Sequence, residues 1–368
     1  MARDTLPRLR SAGLQLFSEE WYDAVSIAEI CRRAGISNGA FYRYFPGKSE
    51  LFFALLENFL MTLEGELAGV TGDSVKERLR RFVHVVAGAA RRYAGEVKMF
   101  REGQYRFPQF EERIRALYVA TAERIYGRAI TEVEYLYLLS GLRFVATRSL
   151  LSGLEPDEDL LVELLLNGVF QARDETIRLT TVPEPDALES DSPHERLLHE
   201  AVGLIGERGF YAVQVVDIAR AAGYSVGTFY NHFSGKDAFL AELVRDIGTG
   251  TRHFLRTHQV PTQSRWHQEV HGMWNFLQYF SRHPEYYEIV REAEFVVPQS
   301  VREYYDAFER GYVANLAEVP PDHRVITANF LMGISHYLGI EVLFQKRVTD
   351  VPGAVRDLGR LLAHGLSE

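Results

Sequence analysis

Apolar residues recur every three or four positions along most of the chain. The pattern is clear in KERLRRFVHVVAGAARRYAG (76–95), EERIRALYVATAERIYGRAI (111–130) and DHRVITANFLMGISHYLGIEVLF (322–344). This spacing places apolar side chains on one face of an α-helix, and residues that cap or begin helices precede each segment. No sustained alternation of apolar and polar residues, which would indicate strands, is present. The pattern predicts an all-α protein with about nine helices in each half.

One segment occurs twice. GISNGAFYRYFPGKSEL (35–51) has a near-copy, GYSVGTFYNHFSGKDAF (223–239), 188 residues later, and the similarity continues upstream at the same shift. Further along, REGQYRFP (101–108) matches REAEFVVP (291–298) at a shift of 190. A period this long indicates a duplicated multi-helix unit rather than the short repeats of a solenoid.

Each copy has the pattern of a helix-turn-helix motif, in which the second helix can enter a DNA major groove. Ser37 is a natural N-cap for that helix, and Phe41 and Phe45, four residues apart, face the core. The alternative is that two short aromatic helices merely pack a helical protein. The second copy argues against it, because packing does not require the outward Tyr42 and Lys48 that both copies keep.

These segments resemble the DNA-binding region of the tetracycline-repressor (TetR) family of bacterial transcription regulators. The matching residues are LFSEEWYDAVSI (16–27), EICRRAGISNGAFYRYFPGKSEL (29–51) and LIGERGFYAVQVVDIARAAGYSVGTFYNHFSGKDAF (204–239). The resemblance implies, in each half, a three-helix DNA-binding domain followed by a larger helical ligand domain. It also implies that the last two helices of each ligand domain pair as the subunits of a dimer do.

The resemblance and the repeat together predict two TetR-like units in tandem, which form a pseudo-dimer within one chain. Helices near 131–151 and 157–173 would pack on helices near 322–344 and 351–366. The stretch PEPDALESDSP (183–193), with three prolines and four acids, has the composition of a linker. The expected domains are a first helix-turn-helix domain (1–47), a first helical ligand and dimerisation domain (48–178), a linker (179–192), a second helix-turn-helix domain (193–235) and a second helical ligand and dimerisation domain (236–368).

The DNA-binding residues follow from the outward positions of the two motifs. Tyr42, Lys48, Tyr230 and Lys236 are expected to contact phosphates, and the remainder to cap the helices or to face base edges. The second copy departs from the family pattern at Gln214, where a Ser or Thr cap is usual. It is also the more acidic copy, since residues 1–56 carry seven Lys/Arg against six Asp/Glu and residues 193–246 carry five against seven. The full predicted set is Ser26, Ser37, Asn38, Ala40, Tyr42, Arg43, Tyr44 and Lys48, with Ser225, Val226, Thr228, Tyr230, Asn231, His232 and Lys236.

Candidate effector-binding residues lie on the later helices of each half. The aromatic residues there suit an ordinary core, and the remainder would suit a small apolar or aromatic effector fixed by a few polar groups. The pairs Arg101/Glu102 and Arg291/Glu292 are either ligand-orienting or interhelical ion pairs. The predicted set is Arg101, Tyr105, Tyr118, Arg143, Trp274, Arg291, Phe295, Phe308 and His336.

Composition bears on whether the protein is globular, membrane-spanning or metal-binding. Apolar residues make up 46% and charged residues 25%, as in globular proteins, and the single cysteine, Cys31, fits a reducing compartment. No apolar run was expected to reach the ~18 residues of a membrane span. The sequence HQEVH (267–271) could ligate a metal, but a partly exposed helix face is the favoured interpretation. We therefore predict a cytoplasmic protein without membrane contact, metal, cofactor or catalysis.

The function predicted from the sequence is a ligand-released repressor that reads an imperfect palindrome with two different recognition helices. Its partners would be a double-stranded DNA operator and a small effector, with one chain acting as the dimer and further self-association left open. The alternative is a TetR-fold small-molecule-binding protein or enzyme that has lost DNA binding in one or both halves. The acidic second copy is the main support for that alternative.

Overall fold

The computed structural model describes residues 4–170, 177–183, 192–259 and 264–367, apart from the side chains of residues 104–106. Within these ranges the regular structure is α-helical, with short 3-10 segments and no strand. The predicted all-α class is confirmed.

The chain divides into two compact units between Leu166 and Asn167. The described residues contain nine α-helices before this point and nine after it, as the periodicity predicted. The first nine are α1 (Thr5–Glu19), α2 (Ile27–Ala34), α3 (Asn38–Phe41), α4 (Lys48–Ala68), α5 (Val75–Arg92), α6 (Ala94–Arg106), α7 (Pro108–Tyr126), α8 (Glu132–Ser152) and α9 (Glu158–Asn167). The second nine are α10 (Pro193–Arg208), α11 (Val215–Ala221), α12 (Val226–His232), α13 (Lys236–Thr257), α14 (Arg265–Arg282), α15 (Glu285–Val296), α16 (Pro298–Asn315), α17 (Arg324–Leu343) and α18 (Val351–His364).

In each unit the first helix supports the helix-turn-helix motif. In the first unit α1 packs on α2 and α4, and the ring of Phe17 lies edge-on to that of Phe52, with 4.9 Å between the centroids. In the second unit α10 packs on α11 and α12. Both arrangements bury the apolar stripe of the first helix, so the motif has a rigid base.

One helix in each unit is apolar on nearly all sides and buried. These are α8 in the first unit and α17 in the second. The stretch 321–343, which includes α17, is long and apolar enough to cross a membrane, a test that no run was expected to pass. However, 83% of its most apolar window is buried inside the structure, as in the core helix of a globular domain.

Helix α9 ends at Asn167, earlier than the predicted helix near 157–173. Gly168 has a φ of 79°, a left-handed conformation that favours glycine and stops the helix. The next two backbone N–H groups, of Val169 and Phe170, donate to the carbonyl oxygen of Leu362 at 2.7 and 3.0 Å. Residues 167–170 therefore pack on α18, upstream of the predicted linker (179–192), most of which (184–191) lies outside the described residues.

Candidate DNA-binding surfaces

The first motif begins with two side-chain caps. Ser26 Oγ and Ser37 Oγ each accept a hydrogen bond from the backbone N–H three residues later, at 3.1 and 3.3 Å, which confirms the expected cap at Ser37. Between the two helices the chain turns at Gly35, whose φ is 63°. This turn is held from α1, because Arg8 Nη2 donates to the Gly35 carbonyl oxygen at 3.0 Å. The caps and the turn fix the angle between α2 and α3.

The recognition helix of the first motif separates its apolar and polar positions as predicted. Phe41 and Phe45 are 0% and 7% exposed, with their ring centroids 6.0 Å apart. Burial of these two rings anchors the helix and turns the intervening side chains to solvent. The exposed set is Asn38, Tyr42, Arg43 and Tyr44, and Ala40 is half-buried.

The second motif repeats this geometry with different outward residues. Ser225 Oγ accepts from the backbone N–H of Thr228 at 3.1 Å, and Gly223 makes the turn with a φ of 77°. Phe229 and Phe233 are buried like their counterparts in the first motif. Thr228 is half-buried, with Oγ1 3.1 Å from the Ser225 hydroxyl. The exposed set is Val226, Tyr230, Asn231 and His232.

The start of α11 differs from that of α2. The Asp217 carboxylate accepts a hydrogen bond from the Gln214 N–H at 2.9 Å, and Gln214 replaces the serine whose hydroxyl caps α2. A side-chain hydroxyl is therefore missing from this position in the second motif, while Val216 beside it is exposed. The sequence difference at Gln214 therefore changes how the first helix of the second motif is capped.

The two lysines expected to contact phosphate are turned toward the loop between the first two helices. Lys48 Nζ donates to the carbonyl oxygens of Tyr22 and Val25, both at 2.7 Å, and lies 4.2 Å from the Tyr22 ring centroid. Lys236 Nζ donates to the Phe210 carbonyl oxygen at 2.5 Å and lies 4.1 Å from that ring. Both ammonium groups thus hold this loop, a role that the sequence did not suggest. Their contact with phosphate stays a prediction.

The same loop residues are held by a glutamate from a later helix. Both carboxylate oxygens of Glu102, on α6, accept from the Tyr22 N–H at 2.9 and 3.0 Å, and Glu292 Oε2, on α15, accepts from the Phe210 N–H at 2.5 Å. Glu102 is 1% exposed, whereas Glu292 is half-buried. Burial lowers the pKa of the Lys236 ammonium, and the nearby Glu292 carboxylate opposes that shift.

We call each such set a loop clamp: Tyr22, Lys48 and Glu102 in the first unit, and Phe210, Lys236 and Glu292 in the second. In both, one residue's C=O is held by an ammonium group at the start of a long helix, and its N–H by a carboxylate from the ligand-type domain. The clamps therefore join each helix-turn-helix domain to the helices that follow it.

The effector residues predicted in the first unit are engaged with neighbouring helices. Arg143 on α8 forms a buried two-bond ion pair with Glu111 on α7, at 3.0 and 3.3 Å. Arg101 on α6 donates to Thr147 Oγ1 on α8 at 2.5 Å. These polar contacts link α6 and α7 to α8.

The residues predicted in the second unit are more dispersed. Trp274 Nε1 donates to a carbonyl oxygen of the segment 177–183, and Arg291 pairs with a glutamate one turn earlier on α15. The carbonyl oxygen of His336 accepts from the Tyr287 hydroxyl at 3.2 Å, and the two rings lie 5.5 Å apart. Phe295 and Phe308 are half-buried, Tyr118 of the first unit is buried, and the side chain of Tyr105 lies outside the described residues.

The histidines of HQEVH are buried, so the partly exposed helix face expected for them is wrong. His267 Nδ1 lies 3.0 Å from Ser264 Oγ. Burial, and then the neighbouring His267, lower the pKa of His271, because both disfavour its charged form. Within the described ranges, no group of three or more His, Cys, Asp and Glu side chains is arranged to hold a metal ion.

The two segments each have the geometry of a helix-turn-helix motif, with a capped second helix, a buried aromatic pair and solvent-exposed outward side chains. The model of the tetR family of bacterial regulatory proteins matches the chain twice, at residues 9–55 and 197–243. The chain thus contains two DNA-binding segments of the TetR type, in tandem.

Curated relatives share the DNA-binding region. The chain is 42% identical over 57 residues to the HTH-type transcriptional regulator HbdR of Aromatoleum sp. (strain CIB), a match that covers 16% of this chain and 25% of that protein. It is 33% identical over 98 residues to the nucleoid occlusion factor SlmA of Actinobacillus pleuropneumoniae serotype 5b (strain L20), covering 24% and 48%. The chain thus spans less than half the length of these two relatives.

Solved structures of transcription regulators align with about half of this chain. The fatty acid degradation regulator FadR from Bacillus halodurans aligns at 16% identity with a TM-score of 0.41, covering 48% of this chain and 98% of that one. A TetR-like transcriptional regulator from Rhodococcus sp. RHA1 aligns at 23% identity with a TM-score of 0.39, covering 48% and 96%.

Proposed function

We propose that the protein is a transcriptional repressor that reads an imperfect palindrome with two non-identical recognition helices. The observation that carries this proposal is that α3 and α12 expose different side chains although both have a serine cap at the start and a buried phenylalanine pair. Arg43 can donate twice to guanine, Asn231 can pair with adenine, and the methyl groups of Val226 can meet thymine. Each good bidentate contact is worth roughly 1–3 kcal/mol of discrimination between base pairs.

Phosphate contacts would position these two helices without selecting the sequence. Tyr42 and Tyr230 are suited to this role, since both are more than half exposed and occupy equivalent positions. Lys48 and Lys236 begin α4 and α13, where the helix dipole also favours an anion. Their ammonium groups would exchange or share a loop carbonyl when they contact a phosphate oxygen.

We infer that one chain supplies both reading heads of the two-fold unit. The family resemblance suggests that α8 and α9 pair with α17 and α18 as the dimer helices of two subunits do. Two recognition helices so arranged require half-sites about one helical turn apart, roughly 34–36 Å. Each half-site would carry its own sequence, because the two helices differ.

A small apolar or aromatic effector in a ligand-type domain would release the DNA. The loop clamps support this step, because Glu102 and Glu292 belong to ligand-type helices and bind the loops that support the motifs. An effector that binds better to a conformer with displaced α6 or α15 shifts the population away from the DNA-binding conformer. The proposal places the protein in the cytoplasm with its operator and assigns it no catalysis.

Selection of binding sites from random DNA, followed by a gel-shift titration over a range of salt concentrations, tests the proposal. We expect an asymmetric palindrome and an affinity that falls steeply with salt. Arg43→Ala should relax selectivity only in one half-site, and Asn231→Ala only in the other. Recovery of a perfectly symmetric palindrome would contradict independent reading by the two heads. Absence of salt-dependent binding would instead support a small-molecule-binding protein or enzyme that has kept only the fold.

A further inference from the structure

Residues 177–183, which we call the connector strap, follow the first unit in sequence but belong to the second compact unit. The strap is not helical and runs along α14. Its anchors begin upstream, where Phe170 is buried and lies 5.5 Å from the guanidinium group of Arg265. Ile177, at the start of the strap, is 9% exposed and borders Gly359 of α18.

Three side chains at intervals of four residues on α14 bind the strap backbone. Trp274 Nε1 and Gln278 Nε2 donate to the Thr180 carbonyl oxygen at 2.7 and 3.2 Å. Gln278 Oε1 accepts from the Val182 N–H at 3.0 Å, and Arg282 Nη2 donates to the Val182 carbonyl oxygen at 2.7 Å. A single glutamine amide thus pairs with alternate residues of the strap, as a neighbouring β-strand would.

One side chain of the strap, that of Val182, also forms part of the second unit's interior. Val182 packs against a buried aromatic cluster, formed by Phe254, Tyr279 and Phe280. The strap therefore combines polar recognition of its backbone with burial of an apolar side chain, which is how proteins bind extended peptides. An apolar molecule entering the cluster from this side would have to displace Val182.

The first unit provides an internal comparison. A shift of 190 aligns α5 with α14 from end to end and places Gly88 at the position of Gln278. There, Arg92 folds over Gly88, and a Cβ atom at Gly88 would lie 2.4 Å from Arg92 Nη1. Arg92 donates to the carbonyl oxygens of His84 and Val85 on its own helix, at 3.2 and 3.0 Å. In the first unit Arg92 covers this position of its own helix, whereas in the second unit Gln278 binds the backbone of the connector strap.

We propose that this face of α14, formed by Trp274, Gln278 and Arg282, is a peptide-docking site whose partner is the chain's own connector strap. The strap is then a folded component of the second unit rather than a free tether. It opens locally, independently of global unfolding, because a few side-chain hydrogen bonds and two apolar side chains, those of Ile177 and Val182, hold it.

Hydrogen exchange and limited trypsin digestion of the full chain test this inference. The Val182 amide and the Arg178–Leu179 bond report directly on docking. In the native chain we expect exchange and cleavage at these sites to be at least tenfold slower than in a synthetic peptide of residues 177–183. Gln278→Leu keeps the side-chain volume but removes two hydrogen bonds, so it should accelerate both processes by about tenfold or more.

Two further variants make the outcome decisive. Trp274→Phe keeps an aromatic ring and removes the Nε1–H donor. It should accelerate amide exchange and trypsin cleavage of the strap less than Gln278→Leu does, without changing the helical circular dichroism. Gln299→Leu, the same chemical change at an exposed position of α16, should leave strap exchange and cleavage unchanged. Exchange of Val182 in the native chain at the rate of the free peptide would overturn the proposal. Equal rates of strap exchange and strap cleavage in the native chain, in Gln278→Leu and in Trp274→Phe would also overturn it.

Discussion

Removal of the Glu102 carboxylate is the sharpest test of the loop clamps. Both of its oxygens lie within 3.0 Å of the Tyr22 N–H, and the side chain is 1% exposed, so water cannot easily replace it. A hydrogen bond to a charged group is worth about 1.5–3 kcal/mol, and a buried partner left unpaired adds to the loss. Glu102→Ala should therefore lower the free energy of local loop opening by about 2–3 kcal/mol, which corresponds to roughly 30–150-fold faster exchange of the Tyr22 amide.

The repeat supplies the control within the same molecule. The Phe210 amide should be unaffected by Glu102→Ala, while Glu292→Ala should accelerate Phe210 exchange by a smaller factor, because Glu292 is half-buried and solvent can take its place. Site-resolved hydrogen exchange by NMR measures both amides at once. Equal exchange of Tyr22 in the native chain and in Glu102→Ala would refute the assignment of the carboxylate as the holder of this loop.

Three further changes have definite expected outcomes. Gly168→Ala places a Cβ 2.8 Å from the backbone of α18 at a left-handed φ and should lower the melting temperature more than Gly153→Ala, which has a φ of 70° but open space around it. The buried His271 has a folded-state pKa below its usual value of 6.5, so between these two pKa values the unfolded chain binds more protons and the stability of the fold rises with pH. His271→Asn should therefore reduce the decrease in denaturation midpoint that acidification below pH 6.5 causes. A pH dependence of the midpoint equal to that of the native chain would contradict this. Lys48→Ala should weaken binding to all DNA sequences alike and reduce the salt slope by about one, as measured by gel shift, and a change in preferred base pairs at constant slope would contradict the phosphate role.

Features of the fold that depend on residues close together in the chain could be predicted from the sequence. The cap at Ser37 and the inward pair Phe41 and Phe45 depend on neighbours within one or two turns, so the helix-turn-helix geometry could be read from spacing alone. The end of α9 was predicted too late, because the apolar residues Val169 and Phe170 suggested a longer helix, although the glycine before them is a common helix stop.

The missed features depend on contacts between residues far apart in the chain. Lys48 has the position of a phosphate-binding lysine, and only the folded loop shows that the carbonyl oxygens of Tyr22 and Val25 lie within its reach. Glu102 recurs as Glu292 in the second half, but its partner is a backbone N–H 80 positions away, which no side-chain pattern reveals. The docking of Trp274 on the strap is likewise a tertiary contact.

Because both helix-turn-helix motifs lie on one polypeptide, every synthesised molecule contains one of each. A homodimeric regulator must find its second subunit, and the paired fraction falls when expression is low, by mass action. In this protein the number of molecules carrying both motifs equals the number of chains at any expression level. A substitution in α12 also leaves α3 unchanged, whereas in a homodimer it would alter both heads at once. Duplication within one reading frame thus allows each motif to diverge by single mutations without changing the other.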